Sequence, residues 1–144
     1  RLGAVCRAGV VAGLGGLALP SASPAFAGPS VSGPRGTANL DALACELAVV
    51  ATATGVIPEV VVHGETGWLV PIEQVADGSG TPVDPDRFVS DLAAALTDAV
   101  SDPVRARARG LAGRERAVES FSWSSIGDQT VTVYESVLQQ GWTR

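Results

Sequence analysis

Asn39-Leu40-Asp41-Ala42-Leu43-Ala44-Cys45, Ala48-Val49-Val50-Ala51-Thr52-Ala53-Thr54, Gly55-Val56-Ile57-Pro58-Glu59-Val60-Val61 and Gly64-Glu65-Thr66-Gly67-Trp68-Leu69-Val70-Pro71 together decide how this chain folds. In order they read as a helix, a buried strand, a tight loop and a second strand. The helix is expected over residues 37–46, because Leu40, Leu43, Ala44 and Leu47 have the spacing of one buried helical face. Residues 49–53 are continuously apolar and partly β-branched, with small neighbours and Gly55 beyond. That composition suits a central parallel strand covered on both faces. Pro58 sets a turn, or opens a short helical turn from Glu59. Gly64 and Gly67 punctuate the turn before a short strand, Trp68-Leu69-Val70.

Upstream, residues 25–31 are a short apolar run expected as a buried strand, with Pro29 arguing for an edge position or an early end. Residues 32–37 contain Gly-Pro-Arg-Gly and read as a loop. Downstream, residues 76–86 form a polar surface loop. Asp84 is a good N-cap and Pro85 suits a first helical position, so a helix opens there and runs to about Val100. Phe88, Leu92, Leu96 and Val100 recur every fourth residue as its core stripe. Asp102-Pro103 repeats the start signal for a helix to about Ser120, which Gly110 and Gly113 weaken unless they are packed. A last helix begins near Ser124 or Ser125, buries Ile126, Thr130, Val133, Tyr134 and Val137, and ends at Gly141. The order strand, helix, strand, loop, strand and three helices is α/β: a partial, Rossmann-like parallel sheet with three trailing helices. About three strands are visible, fewer than the roughly four to six of an independent open sheet. Either strands lie in residues 1–24, or this is the trailing part of a larger sheet.

A length of 144 residues gives one domain, and 46% apolar with 17% charged residues gives a packed core rather than disorder. The net charge is −5, there is no lysine, and all 10 cationic side chains are arginines. No broad basic surface exists to displace phosphate counterions, so no nucleic-acid partner is expected. Cys6 and Cys45 lack a CxxC partner, which argues against zinc ligation and redox pairing. No acid–histidine metal cluster or Walker pattern is present. The sequence contains no methionine, and the simplest expectation is a chain that begins inside a longer reading frame.

Residues 1–24 stand apart from the domain expected over residues 25–144. Arg1 and Arg7 flank and precede an apolar run, and Ala25-Phe26-Ala27 supplies an A-x-A pattern. That is the layout of a secretory signal peptide. The run is shorter than the ~20 residues that a bilayer span needs. The other reading is a poorly patterned piece of a cytoplasmic domain, and the rest of the sequence favours the cytoplasm.

The chemistry concentrates at the start of the first helix. Free backbone N–H groups and the positive dipole end make a helix start beside a strand's carboxyl end an anion site. Gly36-Thr37-Ala38 occupies that place, where glycine lets a diphosphate approach the main chain. Asp41 follows one turn later, either as a partner of the helix dipole or placed to accept ribose hydroxyl hydrogen bonds.

Residues 26 to about 138 resemble the C-terminal, nucleotide-sugar-binding part of a GT-B glycosyltransferase of the retaining family 4 class. They are most similar to glycogen synthases and related glucosyltransferases of actinobacteria. The family pattern E-P-x-G-x-x-N-L-E-A-x-A-C meets Gly33-Pro34-Arg35-Gly36-Thr37-Ala38-Asn39-Leu40-Asp41-Ala42-Leu43-Ala44-Cys45 here. Pro34, Gly36, Asn39, Leu40, Ala42, Ala44 and Cys45 match, Asp41 conservatively replaces the second acid, and Gly33 replaces the first outright. A-V-V-A-T-A-T-G-x-I-P-E-V-V and G-E-T-G-x-L-V-P match as well, with Val56 where the family prefers a second glycine. Phe121-Ser122-Trp123 fits the approach to the last helix.

The resemblance implies roles. In the family the first acid contacts the donor sugar, the second holds the ribose, and amides at the helix start bind the diphosphate. An Arg–Lys pair from an earlier loop neutralises the leaving phosphates, and an N-terminal domain binds the acceptor glucan. Glucose moves with retained configuration, with no required metal or cofactor. Carried over, the nucleotide-sugar-binding positions are Gly36, Thr37, Ala38, Asp41 and Gly55, and no catalytic residue is assigned because the acid position is Gly33. The expectation is a truncated or degenerate donor-binding domain for ADP-glucose or UDP-glucose, inactive alone. An exported α/β binding module without catalysis, and an inert fragment, are the alternatives.

Other residues take plainer readings. His63 is an exposed turn histidine, Glu59 a helix-dipole partner, and Ser124 and Ser125 are caps. Cys45 is a small buried thiol. The arginines from 105 to 116 are a solvated helix face, and Trp68 and Trp123 are core or interdomain anchors.

Overall fold

The computed structural model describes residues 25–28 and 37–140. The signal-like segment, Cys6, Gly33, Gly36, the second half of the strand expected to Val31 and the stop at Gly141 lie outside the described residues. The elements are β1 (Ala25–Gly28), α1 (Thr37–Ala44), β2 (Ala48–Thr52), α2 (Ile57–Val60), β3 (Gly67–Val70), α3 (Pro85–Ser101), α4 (Pro103–Phe121) and α5 (Trp123–Gln140). The three strands are parallel in the order β1-β2-β3, with Phe26 opposite Val49 and Val50 opposite Trp68.

β2 is central and every one of its residues is buried, in keeping with four apolar residues followed by a β-branched threonine. Its side chains alternate between two cores. Val49 and Ala51 join Phe26, Ala42, Leu43, Ile57, Val60 and Val61 on one face. Ala48 and Val50 join Trp68, Val70, Ala99 and Ala106 on the other.

The α/β order expected from sequence is the order found, but several details differ. α1 stops at Ala44 rather than Glu46, because Glu46 takes a left-handed φ of 63° that ends the helix. Its buried centre is Asn39, Ala42 and Leu43, while Leu40, Ala44 and Leu47 flank the core half-buried. α2 begins at Ile57 instead of Glu59, with Pro58 in its first turn. The N-caps are as read: Asp84 Oδ1 accepts from the Arg87 N–H at 3.0 Å, and Asp102 Oδ1 from the Arg105 N–H at 2.9 Å. Phe88, Leu92 and Leu96 pack on the second core, but Val100 is exposed and Ala99 is buried. A four-residue repeat drifts around a helix of about 3.6 residues per turn, so the stripe has left the sheet by position 100.

α4 holds the layers together. A Cβ on Gly110 would lie 2.1 Å from the Glu46 carbonyl oxygen, and one on Gly113 would lie 2.4 Å from Leu43 Cδ2. The two glycines therefore let α4 press against α1 and the start of β2. Arg105 and Arg107 are exposed as expected, but Arg109, Arg114 and Arg116 are half-buried against the fold. Arg114 donates to the Ala44 carbonyl at 3.1 Å, and Arg116 donates to the Val60 and Glu59 carbonyls at 3.1 and 2.8 Å. Arg109 lies 4.0 Å over the Trp68 ring and reaches the Gly67 carbonyl at 3.4 Å. These carbonyls end α1, end α2 and begin β3. A planar guanidinium that bridges two successive carbonyls does what a lysine cannot, which suits a chain without lysine.

α5 also differs. Ile126, Thr130, Val133, Tyr134 and Val137, expected in the core, are exposed, and Trp123 is 91% exposed. Trp123 thus anchors nothing among the described residues, whereas Trp68 is buried as expected. α5 starts at Trp123, ahead of Ser124, and Ser122 Oγ accepts from the Ser125 N–H at 3.2 Å. The cap is Ser122, not Ser124 or Ser125.

Two outcomes follow from this packing. Gly110→Ala lowers stability by about 1–3 kcal/mol or more through overpacking. Gly127→Ala, on α5 with no atom within 4 Å of the added Cβ, raises it by about 0.4–1 kcal/mol. Urea unfolding of both variants checks the contrast, and equal effects would contradict the close approach. Asp98 gives the second. Its carboxylate accepts from the Trp68 indole N–H at 2.6 Å and pairs with Arg105, and these contacts, Trp68 first, hold its pKa below the ordinary value. A lowered folded-state pKa contributes stability above the unfolded carboxylate's value, and that contribution is lost as pH falls through the folded value. Asp98→Asn is therefore less stable than wild type at neutral pH, and the gap narrows as the solution is acidified below the usual carboxylate range. Unfolding midpoints across that range measure it.

Candidate functional site

Parallel strands put their carboxyl ends on one side of a sheet. Here those ends are Gly28, Thr52 and Val70. α1 carries the chain from the end of β1 back to the start of β2, so its N-terminus lies at the same side. The contact is direct: a Cβ on Gly28 would meet Phe26 Cε1 at 2.9 Å and Asn39 Oδ1 at 3.2 Å. Glycine at the strand end lets the first turn of α1 sit against β1, with Asn39 95% removed from solvent (5% exposed).

The expected site residues divide accordingly. Thr37 opens α1 and is exposed, Ala38 is half-buried against the first core, and Asp41 is exposed one turn on. Thr37 and Asp41 are four residues apart and share one helix face. Helical side chains lean toward the N-terminus, so the Asp41 carboxylate covers the turn that Thr37 opens. The N–H groups of that turn have no acceptor within the helix and carry the positive end of its dipole. Gly36 lies outside the described residues. Gly55 follows β2 in an exposed turn with φ 54°, a left-handed conformation that strains other residues. The turn is tight, with Thr54 N–H donating to the Thr52 carbonyl at 2.9 Å and Ile57 N–H to the Thr54 carbonyl at 3.2 Å. The side thus offers helix amides, one carboxylate and an open glycine turn, which is equipment for binding a polar, anionic ligand by its phosphates and hydroxyls.

Sequence reading missed Asn39, Thr54 and Gln74. Asn39 has the spacing of Ala42 and Leu43, which is a legible sign of a buried polar residue on the core face. Thr54 and Gln74 had no such sign, because the contact between them spans 20 residues. His63 is exposed as expected, but it also works locally: its Nδ1 accepts from the Leu69 N–H at 3.0 Å on the outer edge of β3. A separate cleft with Thr66, Arg116 and Glu119 in its lining opens before β3, at the amino end of the strands, away from this side. Among the described residues, no group of three or more His, Cys, Asp or Glu is placed to hold a metal ion. No described helix is long and apolar enough to cross a membrane.

Known proteins resemble the chain in sequence and in fold. The family Glycosyl transferases group 1 matches residues 18–116. Alpha-maltose-1-phosphate synthase of Mycolicibacterium smegmatis is 45% identical over 117 residues, 81% of this chain and 28% of that protein. Glycogen synthase of Mycobacterium tuberculosis is 32% identical over 118 residues, 82% of this chain and 25% of that protein. Sucrose-phosphate synthase from Thermosynechococcus elongatus superposes with a TM-score of 0.63 at 32% identity, covering 84% of this chain and 27% of that one. The chain therefore spans about a quarter of the length of these relatives.

Proposed function

The chain belongs to the glycosyl transferases group 1 family, and from that premise we propose that the carboxyl side of its sheet binds a nucleotide-sugar donor. The observation that carries this is the juxtaposition of the α1 start, Asp41 and the Gly55 turn at one end of the strands. The α1 amides take the diphosphate. Asp41 accepts from the ribose hydroxyls, and Gly55 keeps the β2 turn free of a Cβ where the sugar half of the donor lies. The donor is ADP-glucose or UDP-glucose. The 45% identity to an alpha-maltose-1-phosphate synthase supports a glucosyl donor, while two mannosyltransferases at 36% and 38% stand above the glycogen synthase at 32%. The parent reaction is transfer of glucose with retention to an α-glucan.

The 144-residue chain is inactive by itself on this reading. Gly33 offers no carboxylate to the donor sugar, and no lysine exists to meet the departing phosphates. Arg109, Arg114 and Arg116 are committed to backbone carbonyls at the other end of the sheet. Charge on a leaving diphosphate needs preorganised donors, and a single lost donor of that kind costs about 2.7–4 kcal/mol.

Calorimetric titration with ADP-glucose and UDP-glucose tests the site. Wild type binds one of them, and Asp41→Ala weakens that binding roughly ten- to a hundredfold, the worth of hydrogen bonds to a charged group. Equal affinity of the two proteins would remove Asp41 from the donor site. Glucan extension by the isolated chain at the rate of a full-length enzyme would refute the inactivity.

A further inference from the structure

Beyond β3 the chain does not form a featureless polar loop. Val75 N–H donates to the Thr81 carbonyl at 2.9 Å, Val83 N–H donates to the Glu73 carbonyl at 2.8 Å, and Gln74 bridges Pro82 in antiparallel register. Gly78 and Gly80 make the bend with φ of 77° and 78°, and Asp77 Oδ1 accepts from the Ser79 N–H at 2.8 Å. Residues 73–83 are thus a small hairpin standing at the carboxyl end of the edge strand.

This hairpin is fastened to the end of the central strand. Thr54 Oγ1 donates to Gln74 Oε1 at 3.3 Å, and Gln74 Nε2 donates to the Gly80 carbonyl at 3.1 Å. One amide side chain therefore spans the inside of the hairpin and reaches the residue next to Gly55. Both groups are partly shielded from water, where a hydrogen bond counts for more than at the open surface. Resting on the donor reading above, we propose that the 73–83 hairpin is a wall of the donor mouth. Gln74 is its positioning residue, which sets the turn at Thr54 and Gly55 through the Thr54 hydroxyl.

The test is a double-mutant cycle on the full chain, read by titration with ADP-glucose and UDP-glucose. Thr54→Val and Gln74→Ala each weaken binding roughly three- to tenfold, the scale of one net hydrogen bond. The double variant is no weaker than Gln74→Ala alone, because that change already removes the Thr54 contact along with the one to Gly80. Thr54→Ser restores wild-type affinity, and Thr54→Val also speeds amide exchange at Val75 and Val83. Additive losses would mean that Thr54 touches the donor by itself and would overturn the positioning role. Unchanged affinity in Thr54→Val overturns this inference alone. Failure of wild type to bind either nucleotide sugar overturns the donor reading and this inference with it. Should Gln74→Ala not fold, the Thr54→Val and Thr54→Ser pair decides: equal affinities of those two overturn the proposal.

Discussion

The close fit of α4 against the start of β2 is the constraint on which the rest of the structure depends. Gly110 and Gly113 remove the Cβ atoms that would collide with the Glu46 carbonyl and Leu43. That approach brings Arg114 to the last carbonyl of α1, Arg116 to the end of α2 and Arg109 to the start of β3. Positive guanidinium groups at helix carboxyl ends also complement the negative end of each dipole. One helix therefore fixes three elements from below, at the amino end of the strands. The carboxyl end is left to the loops and to the start of α1.

This division of labour explains how the chain's electrostatics are arranged. Its arginines are concentrated in α4 and are used for architecture there. On the proposed reading, anion attraction at the other end falls to main-chain amides, which carry no net charge. An acidic protein with net charge −5 can hold a diphosphate in this way, because local dipoles act within a turn while the overall field is screened over about 10 Å. Asp41 does not spoil such a site, since on the same proposal its carboxylate serves the donor's hydroxyl groups rather than its phosphates.

The fold was legible wherever a segment's own pattern determined its environment. β2 announced itself as a central strand because four apolar residues run together before its single threonine, and the Asp-Pro starts of α3 and α4 announced themselves because capping is a local act. What failed were readings that depended on neighbours. The α5 periodicity is a true amphipathic signal, but periodicity does not say what covers the face, and α5 keeps that face exposed in this chain. The α4 arginines looked solvated because carbonyl partners 56 or 70 residues away leave no trace in sequence. The helical place of Asp41 and the turn at Gly55 were legible from motif and turn chemistry. Thr54 and Gln74 were not, because their contact exists only once the hairpin has folded back onto β2.

Amide-resolved hydrogen exchange of the chain with and without ADP-glucose or UDP-glucose tests the central claim most directly. The account predicts slowed exchange at Thr37, Ala38, Asp41 and Gly55, with Thr66 and Arg116 at the opposite end unchanged. Slowed exchange around Thr66, Arg116 and Glu119 with α1 unaffected would contradict it.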